Sequence, residues 1–379
     1  MNPNQYAAAE TVAPAVRAHF AHSIDDARRR GDRNLPDIPD EAVIARMIDA
    51  AFWASLRREE GYEPKISLAY ARPEESSPAL RFASEVPLEP GALTRVAPAV
   101  ERPGVHLGVH DRGGDLRVWG IARAIPKYCL VVEVAEPGLL VVKHHRGETQ
   151  AKFVNVAVLQ GDQVKVVDEH ASSLPDCPSL LTSLLGFDSP GTWIESVNLS
   201  VQVAVSMRAH RRGGLLLIVP AGSDAWRESI VQPVTYEVAP AYDELAVLGR
   251  GPADAARPRA WREELARAVG AIAGLTAIDG ATILDSEYRL LAFGAKVGRR
   301  KDWPTVEQVT LTEPIQGVEA SVVSPAQLGG TRHLAAAQFV HDQRDALALV
   351  ASQDGRFTVF AFSPCEAMVH AHRVETLLL

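Results

Sequence analysis

Along residues 40–56 the apolar positions return every three or four residues. Ile44, Met47, Ile48, Ala51, Phe52 and Leu56 form one stripe behind Asp40, which stands where an N-cap belongs, and "REEGYEP" closes the segment. That pattern predicts a helix. From about 65 to 170 the rhythm shortens into "KISLAYA", "LRFAS", "LRVWGIA", "KYCLVVEVA", "GLLVVKH", "AKFVNVAVLQ" and "DQVKVVD", separated by glycine, proline and charged turns. Short apolar runs at this spacing predict an antiparallel β domain. Residues 1–39 carry a short helical pattern and then "DDARRRGDRNLPDIPD", whose charge and proline content read as a mobile lead-in.

The second half alternates. "SLPDCPSLLTSLLGFDSPGTW", 173–193, reads as a short helix between proline-rich borders, and the domain boundary is placed near 190. Ile194, Val197, Val201, Ala204 and Val205 then make a helical stripe that stops at "HRRGG", basic residues followed by glycines, as helix C-termini prefer. "LLLIVP" is a continuous apolar run short enough for a strand covered on both faces. "GRGPADAARPRA" has linker composition, and "WREELARAVGAIAGL" is helical again. A hairpin of Ala281–Leu284 and Arg289–Ala295, a helix over "TRHLAAAQFVHDQR", strands "DALALVAS" and "RFTVFAF" and a final helix over "CEAMVHAHRVETLLL" complete the pattern. The fold class expected is α/β (α+β), a C-terminal mixed sheet flanked by helices with an N-terminal β-rich domain. The division is 1–39, 40–190, 191–363 and 364–379.

Composition narrows the function. The chain has 379 residues, more than one ordinary core supports, and is 47% hydrophobic and 23% charged, as globular proteins are. A net charge of -8 argues against a nucleic-acid polymer as partner, because phosphate backbones select clustered cations. No stretch approaches the ~20 apolar residues of a membrane span, and the N-terminus lacks an apolar leader core. Cys129, Cys177 and Cys365 are isolated, which suits a reducing cytoplasm. His144 and His145 are adjacent on a strand and point to opposite faces, so with His106 and His110 they make a poor metal set.

One stretch concentrates polar chemistry. "GGTRHLAAAQF", 329–339, places two glycines, a hydroxyl, a guanidinium and an imidazole ahead of helix-forming alanines. Unpaired N–H groups at a helix start favour an anion, phosphate above all. Taken with "DGATILD" at 279–285 and "DALALVASQDGRFTVF" at 345–360, it resembles the diadenylate cyclase domain, which condenses two ATP into cyclic di-AMP. The helix to Arg212 and the following "GGLLLIV" extend the resemblance to roughly 192–363.

The resemblance implies a nucleotide site of Asp279, Gly280, Ala281, Leu291, Gly330, Thr331, Arg332, His333 and Ser352. Asp279 would be the catalytic carboxylate, near a metal or the attacking ribose hydroxyl. Thr331, Arg332 and His333 would hold the triphosphate, and Leu291 would flank the adenine. An active enzyme would use Mg²⁺ or Mn²⁺ and, because two domains must face each other, a homodimer or higher assembly. Two positions depart from the family. Its second arginine is Leu334 here, and the acid of its Ser-Glu pair is Gln353, a poorer ligand for a hard cation. Either loss weakens a transition state that spreads charge over phosphoryl oxygens. A β-rich module ahead of such a domain also resembles the variant group called DACNV, regarded as a sensor. The expected function is therefore a cytoplasmic nucleotide-binding sensor for ATP or a nucleotide-derived messenger. The alternatives are an active diadenylate cyclase and a scaffold with a vestigial pocket.

Lys296, Arg299, Arg300 and Lys301 form a basic cluster after the hairpin. They read either as a solvated loop or as a substitute for the cation missing at Leu334.

Overall fold

A computed structural model of the protein describes residues 5–33, 35–77, 79–145, 153–168, 199–250 and 259–379. The expected helix at 173–193, Cys177, Ile194, Val197 and most of the linker after Gly249 lie outside the described residues. The chain is α/β, with two mixed sheets flanked by helices. It divides into two compact units, Met1–Val167 and Asp168–Leu378, with Leu379 counting with the first.

The first unit opens with two helices, α1 (Ala7–Arg29) and α2 (Glu41–Ser55). The expectation of a mobile lead-in fails for α1. Its Val12, Val16, Phe20 and Ile24 follow four-residue spacing and are at most 1% exposed, so each contributes roughly 1.5–3 kcal/mol on burial. Together they outweigh the roughly 3 kcal/mol that Pro14 costs inside a helix. The alanines between them carry little hydrophobic signal, which hides the stripe in the sequence.

Strands β1 (Ser67–Tyr70), β2 (Ala79–Pro87), β3 (His106–Asp111), β4 (Leu116–Ala122), β5 (Leu130–Glu136), β6 (Leu139–His145), β7 (Phe153–Gln160) and β8 (Gln163–Val166) form one sheet. Helix α3 (Pro90–Val96) falls between β2 and β3. The order is β2-β4-β3-β1-β5-β6-β7-β8. β1 and β3 run parallel, so the sheet is mixed rather than wholly antiparallel. β3 was not expected, because its Gly108 and histidines break the apolar pattern. Gly108 is required there: a Cβ at 108 would fall 2.1 Å from the Trp119 ring. One face packs Leu68, Leu107, Val132 and Val142 into the same core as Phe20, Ile44, Met47 and Ile48 of the helices.

The second unit contains α4 (Leu199–Ala209), β9 (Gly214–Val219), β10 (Tyr236–Tyr242), α5 (Glu244–Gly249), α6 (Arg259–Leu275), β11 (Ala281–Asp285) and β12 (Leu290–Ala295). It continues through β13 (Val309–Thr312), β14 (Ser321–Val323), α7 (Thr331–Asp342), β15 (Leu347–Ala351), β16 (Phe357–Ser363) and β17 (Met368–Arg373). Its sheet order is β10-β12-β11-β9-β15-β16-β17-β13-β14. One face buries Leu216, Leu349, Phe357 and Val359 with α4 and α6, and the other buries Leu215, Leu217, Val350 and Phe360 with α7. Coverage on both sides accounts for the unbroken apolar run of β9.

The expected terminal helix is instead strand β17. Val369 and Ala371 alternate with His370 and His372, a period of two that places the two histidines on one face with ring centroids 5.6 Å apart. Ala367, at φ 52°, makes the tight turn from β16.

Candidate functional site

The motif residues come together because of strand register. β9 and β11 run parallel, pairing Leu216 with Thr282, while β15 runs antiparallel to β9 and pairs Ala351 with Gly214. Continuing those registers sets Gly280 beside Gly214 and Ser352 beside Gly213. Strands lie about 4.8 Å apart, so Asp279–Gly280, Gly213 and Ser352 share one end of the sheet. Arg373 arrives at the same end, since it pairs with Thr358 at the start of β16.

Arg332 bridges from helix to sheet. It occupies the second position of α7, and a Cβ added at Gly213 would lie 2.6 Å from its Nη1 and 3.3 Å from the Ala351 carbonyl. Gly213 is at φ +71° and admits the guanidinium because it has no side chain. Gly280 is equally constrained, at φ +104° and with a Cβ position only 2.5 Å from the Gly294 carbonyl carbon. The glycines of "HRRGG" and of "DGA" are thus places where only a bare backbone fits.

Other cations surround this end. Arg208 Nε donates to the Gly355 carbonyl at 3.1 Å, and Arg356 pairs with Asp354 at 3.4 Å across the turn between β15 and β16. That turn is held by the Ser352 N–H donating to the Arg356 carbonyl at 2.9 Å. His333 is pushed below the usual imidazole range by burial first and then by Arg373, with Arg356 and Arg332 adding to the effect. His210, which contacts Thr276 Oγ1 at 3.4 Å, is lowered by burial, with further lowering from Arg212 and Arg332. Arginines therefore line this end from α4 to β17.

The expected residues do not all stand at this edge. Asp279 and Thr331 are exposed, Arg332 and Ser352 half-buried, and all four stand at or beside the strand end. His333 is only 4% exposed. Its ring folds back so that a Cβ on Gly329 would lie 2.4 Å from Nδ1, and Phe360 lies 6.1 Å away, so the imidazole supports α7 rather than facing out. Gly330 is the N-cap and has open space around it. Ala281 is buried in β11, and Leu291 sits toward the opposite end of the hairpin, since Leu284 pairs with Leu290 and Ala281 with Ala295.

Asp285, the last residue of "DGATILD", belongs to the hairpin. It is 1% exposed and accepts from the N–H groups of Glu287 and Arg289 and from Arg289 Nε at 2.6 Å. Arg299 donates to Thr305, and the Arg300 N–H donates to Asp342 at the far end of α7, so neither replaces the cation missing at Leu334. Arg208, Arg356 and Arg373 were not read from the sequence as site residues. Only the chain of strand pairings assembles them.

Among the described residues no three His, Cys, Asp or Glu side chains cluster as a metal set. Gln353 stands where the resemblance implies a carboxylate, and an amide is a weaker ligand for a hard cation. His144 packs against His19, Phe20 and Tyr128, while His145 packs against Phe153 on the other side of β6.

Fold and site together define an α/β protein of two units, the second with a cationic, glycine-lined strand end. Residues 33–123, within the first unit, match the family model described as "Probable sensor domain DACNV". No curated protein matches the chain. Among solved structures, a hypothetical membrane spanning protein from Bacillus cereus is 16% identical, covering 50% of this chain and 69% of that one, with a TM-score of 0.28. A double mutant of DacA from Staphylococcus aureus is 14% identical, covering 46% and 83%, with a TM-score of 0.24. Similarity this low carries no argument about activity. Among the described residues no helix is long and apolar enough to cross a membrane.

Proposed function

We propose that the protein is a sensor whose second unit binds the polyphosphate of a nucleotide, ATP or a nucleotide-derived messenger, at the strand end formed by Gly213, Asp279–Gly280, Thr331–Arg332 and Ser352. The observation that carries this reading is the Arg332 guanidinium lying against Gly213 at the start of a twelve-residue helix, an end where a helix presents N–H donors. A guanidinium, a hydroxyl and free amides on one edge suit bidentate recognition of phosphoryl oxygens. Turnover is disfavoured at the same place. Each missing charge, at Leu334 and Gln353, removes transition-state stabilisation that typically supplies ~10²- to 10³-fold in rate.

Calorimetry of the full chain with ATP and with cyclic di-AMP tests this reading. Saturable binding of either supports it, and absence of both at millimolar concentration ends it. The exposed Asp279 at the same edge keeps a second reading, an active diadenylate cyclase, worth testing. Cyclic di-AMP formed from ATP and Mn²⁺, detected by mass spectrometry and lost in Asp279→Ala, would establish the enzyme and displace the sensor.

A further inference from the structure

The first unit carries a different kind of chemistry, in mid-sheet rather than at a strand end. On the face turned away from α1 and α2, Ser67 of β1 pairs directly with Glu133 of β5, and the parallel register of β1 and β3 sets His106 beside Ser67. Lys143 of β6 reaches Glu133 at 2.5 Å and lies 4.7 Å from the centroid of Phe153. Ser67 Oγ and His106 Nδ1 are 2.7 Å apart. These side chains line a cavity of ≈ 580 Å³ whose rim carries Lys65, Glu101 and Arg102. That volume is within the ~300–1,000 Å³ typical of small-molecule sites.

A polar row buried on a sheet face is costly unless its groups are satisfied. Lys143 is 8% exposed and His106 3%, so both have left bulk water. An ammonium has three donors, of which the Glu133 carboxylate at 2.5 Å accounts for one. Whichever way the Ser67–His106 bond runs, the pair keeps a spare donor: Nε2–H if the hydroxyl donates, the hydroxyl itself if Nδ1–H donates. Three cations, Lys65, Arg102 and Lys143, face two carboxylates, Glu101 and Glu133. His106 is held down to about 4, by burial first and then by Lys143 and His145. Valines 100, 105 and 134 and the Phe153 ring supply an apolar wall.

We propose that this cavity binds a small organic oxyanion, a carboxylate or a phosphate ester, with Lys143 as its charge partner and the Ser67–His106 pair as a neutral donor. It is a second site, independent of the nucleotide reading, and it gives the first unit a ligand of its own. The aromatic and valine walls select an organic anion over a bare inorganic one.

The test is calorimetry on the full chain with acetate, succinate, glycerol phosphate and inorganic phosphate, each against chloride at equal ionic strength. The expected result is saturable binding of one organic acid or ester, weakened on the order of tenfold or more in Lys143→Met. The carboxylate and phosphate-ester arms separate the two ligand sources. If Lys143→Met does not fold by circular dichroism, the rim variant Lys65→Ala/Arg102→Ala is read instead, with a smaller loss expected. The proposal is overturned if no probe saturates, if inorganic phosphate binds as well as the esters, or if binding survives both variants.

Discussion

Both units are built on mixed sheets covered by helices, yet they place their cations in opposite ways. In the first, Lys143 sits in the middle of a sheet face, enclosed, and paired with a carboxylate on the neighbouring strand. In the second, Arg332 lies at the end of the sheet, over a glycine, with Arg356 and Arg373 coming from adjacent strand ends. A mid-sheet cation loses its hydration and depends on neighbours for compensation. At a strand end the cation keeps water nearby and is positioned by backbone geometry. Side-chain pairing therefore governs the first site and glycine placement the second.

The largest effect should come from removing the backbone space. Gly280→Ala combines positive φ with a Cβ 2.5 Å from backbone, so a loss of about 3 kcal/mol is expected in denaturant unfolding. Breaking the mid-sheet pair should be asymmetric. Glu133→Gln leaves a buried ammonium without its carboxylate and should cost about 2 kcal/mol, whereas Lys143→Met leaves a half-exposed carboxylate and should cost less than about 1 kcal/mol. Equal losses would show that the pair behaves as a surface salt bridge.

Acid should weaken the first unit through His106. A free imidazole titrates near 6.5, whereas His106 is held to about 4 when folded. The unfolded chain therefore takes up the proton first as pH falls. The stability contributed by neutral His106 is present above pH 6.5 and is lost between about 6.5 and 4, at roughly 1 kcal/mol per pH unit. His372, lowered to about 3 by burial and then by His370, acts in the same direction in the second unit. Unfolding free energies at stepped pH should show a shallower slope for His106→Asn than for the unaltered chain. The smallest effect concerns Leu334, which is 44% exposed. Leu334→Arg adds a cation beside Arg332 and should tighten ATP binding by about threefold, with little change in stability.

The two regions also differ in how far the sequence reveals them. The strand-end site is visible in part because "GGTRH" and "DGA" are short, recognisable stretches, although the glycine that makes room for Arg332 is Gly213, which only strand register brings to it. The helices α2, α4, α6 and α7 and the β11–β12 hairpin are legible for a related reason, since their apolar periods are long or their turns sharp. The mid-sheet row is not legible. Ser67, His106, Glu133 and Lys143 lie far apart in the chain and meet only through the pairing of β3, β1, β5 and β6, which no local pattern encodes. Strand β17 is hidden because the short alternation of Val369 and Ala371 with His370 and His372 before "VETLLL" fits a helical period as readily as a strand's. The burial of His333 is not legible either, because it depends on Phe360, far from it in sequence.

Titration of ATP into the unaltered chain, Arg332→Ala and Lys143→Met decides whether Arg332 and its glycine-lined strand end hold a nucleotide's phosphates. Saturable binding is expected, weakened on the order of tenfold or more in Arg332→Ala and unchanged in Lys143→Met. Equal affinity for the unaltered chain and Arg332→Ala would contradict it.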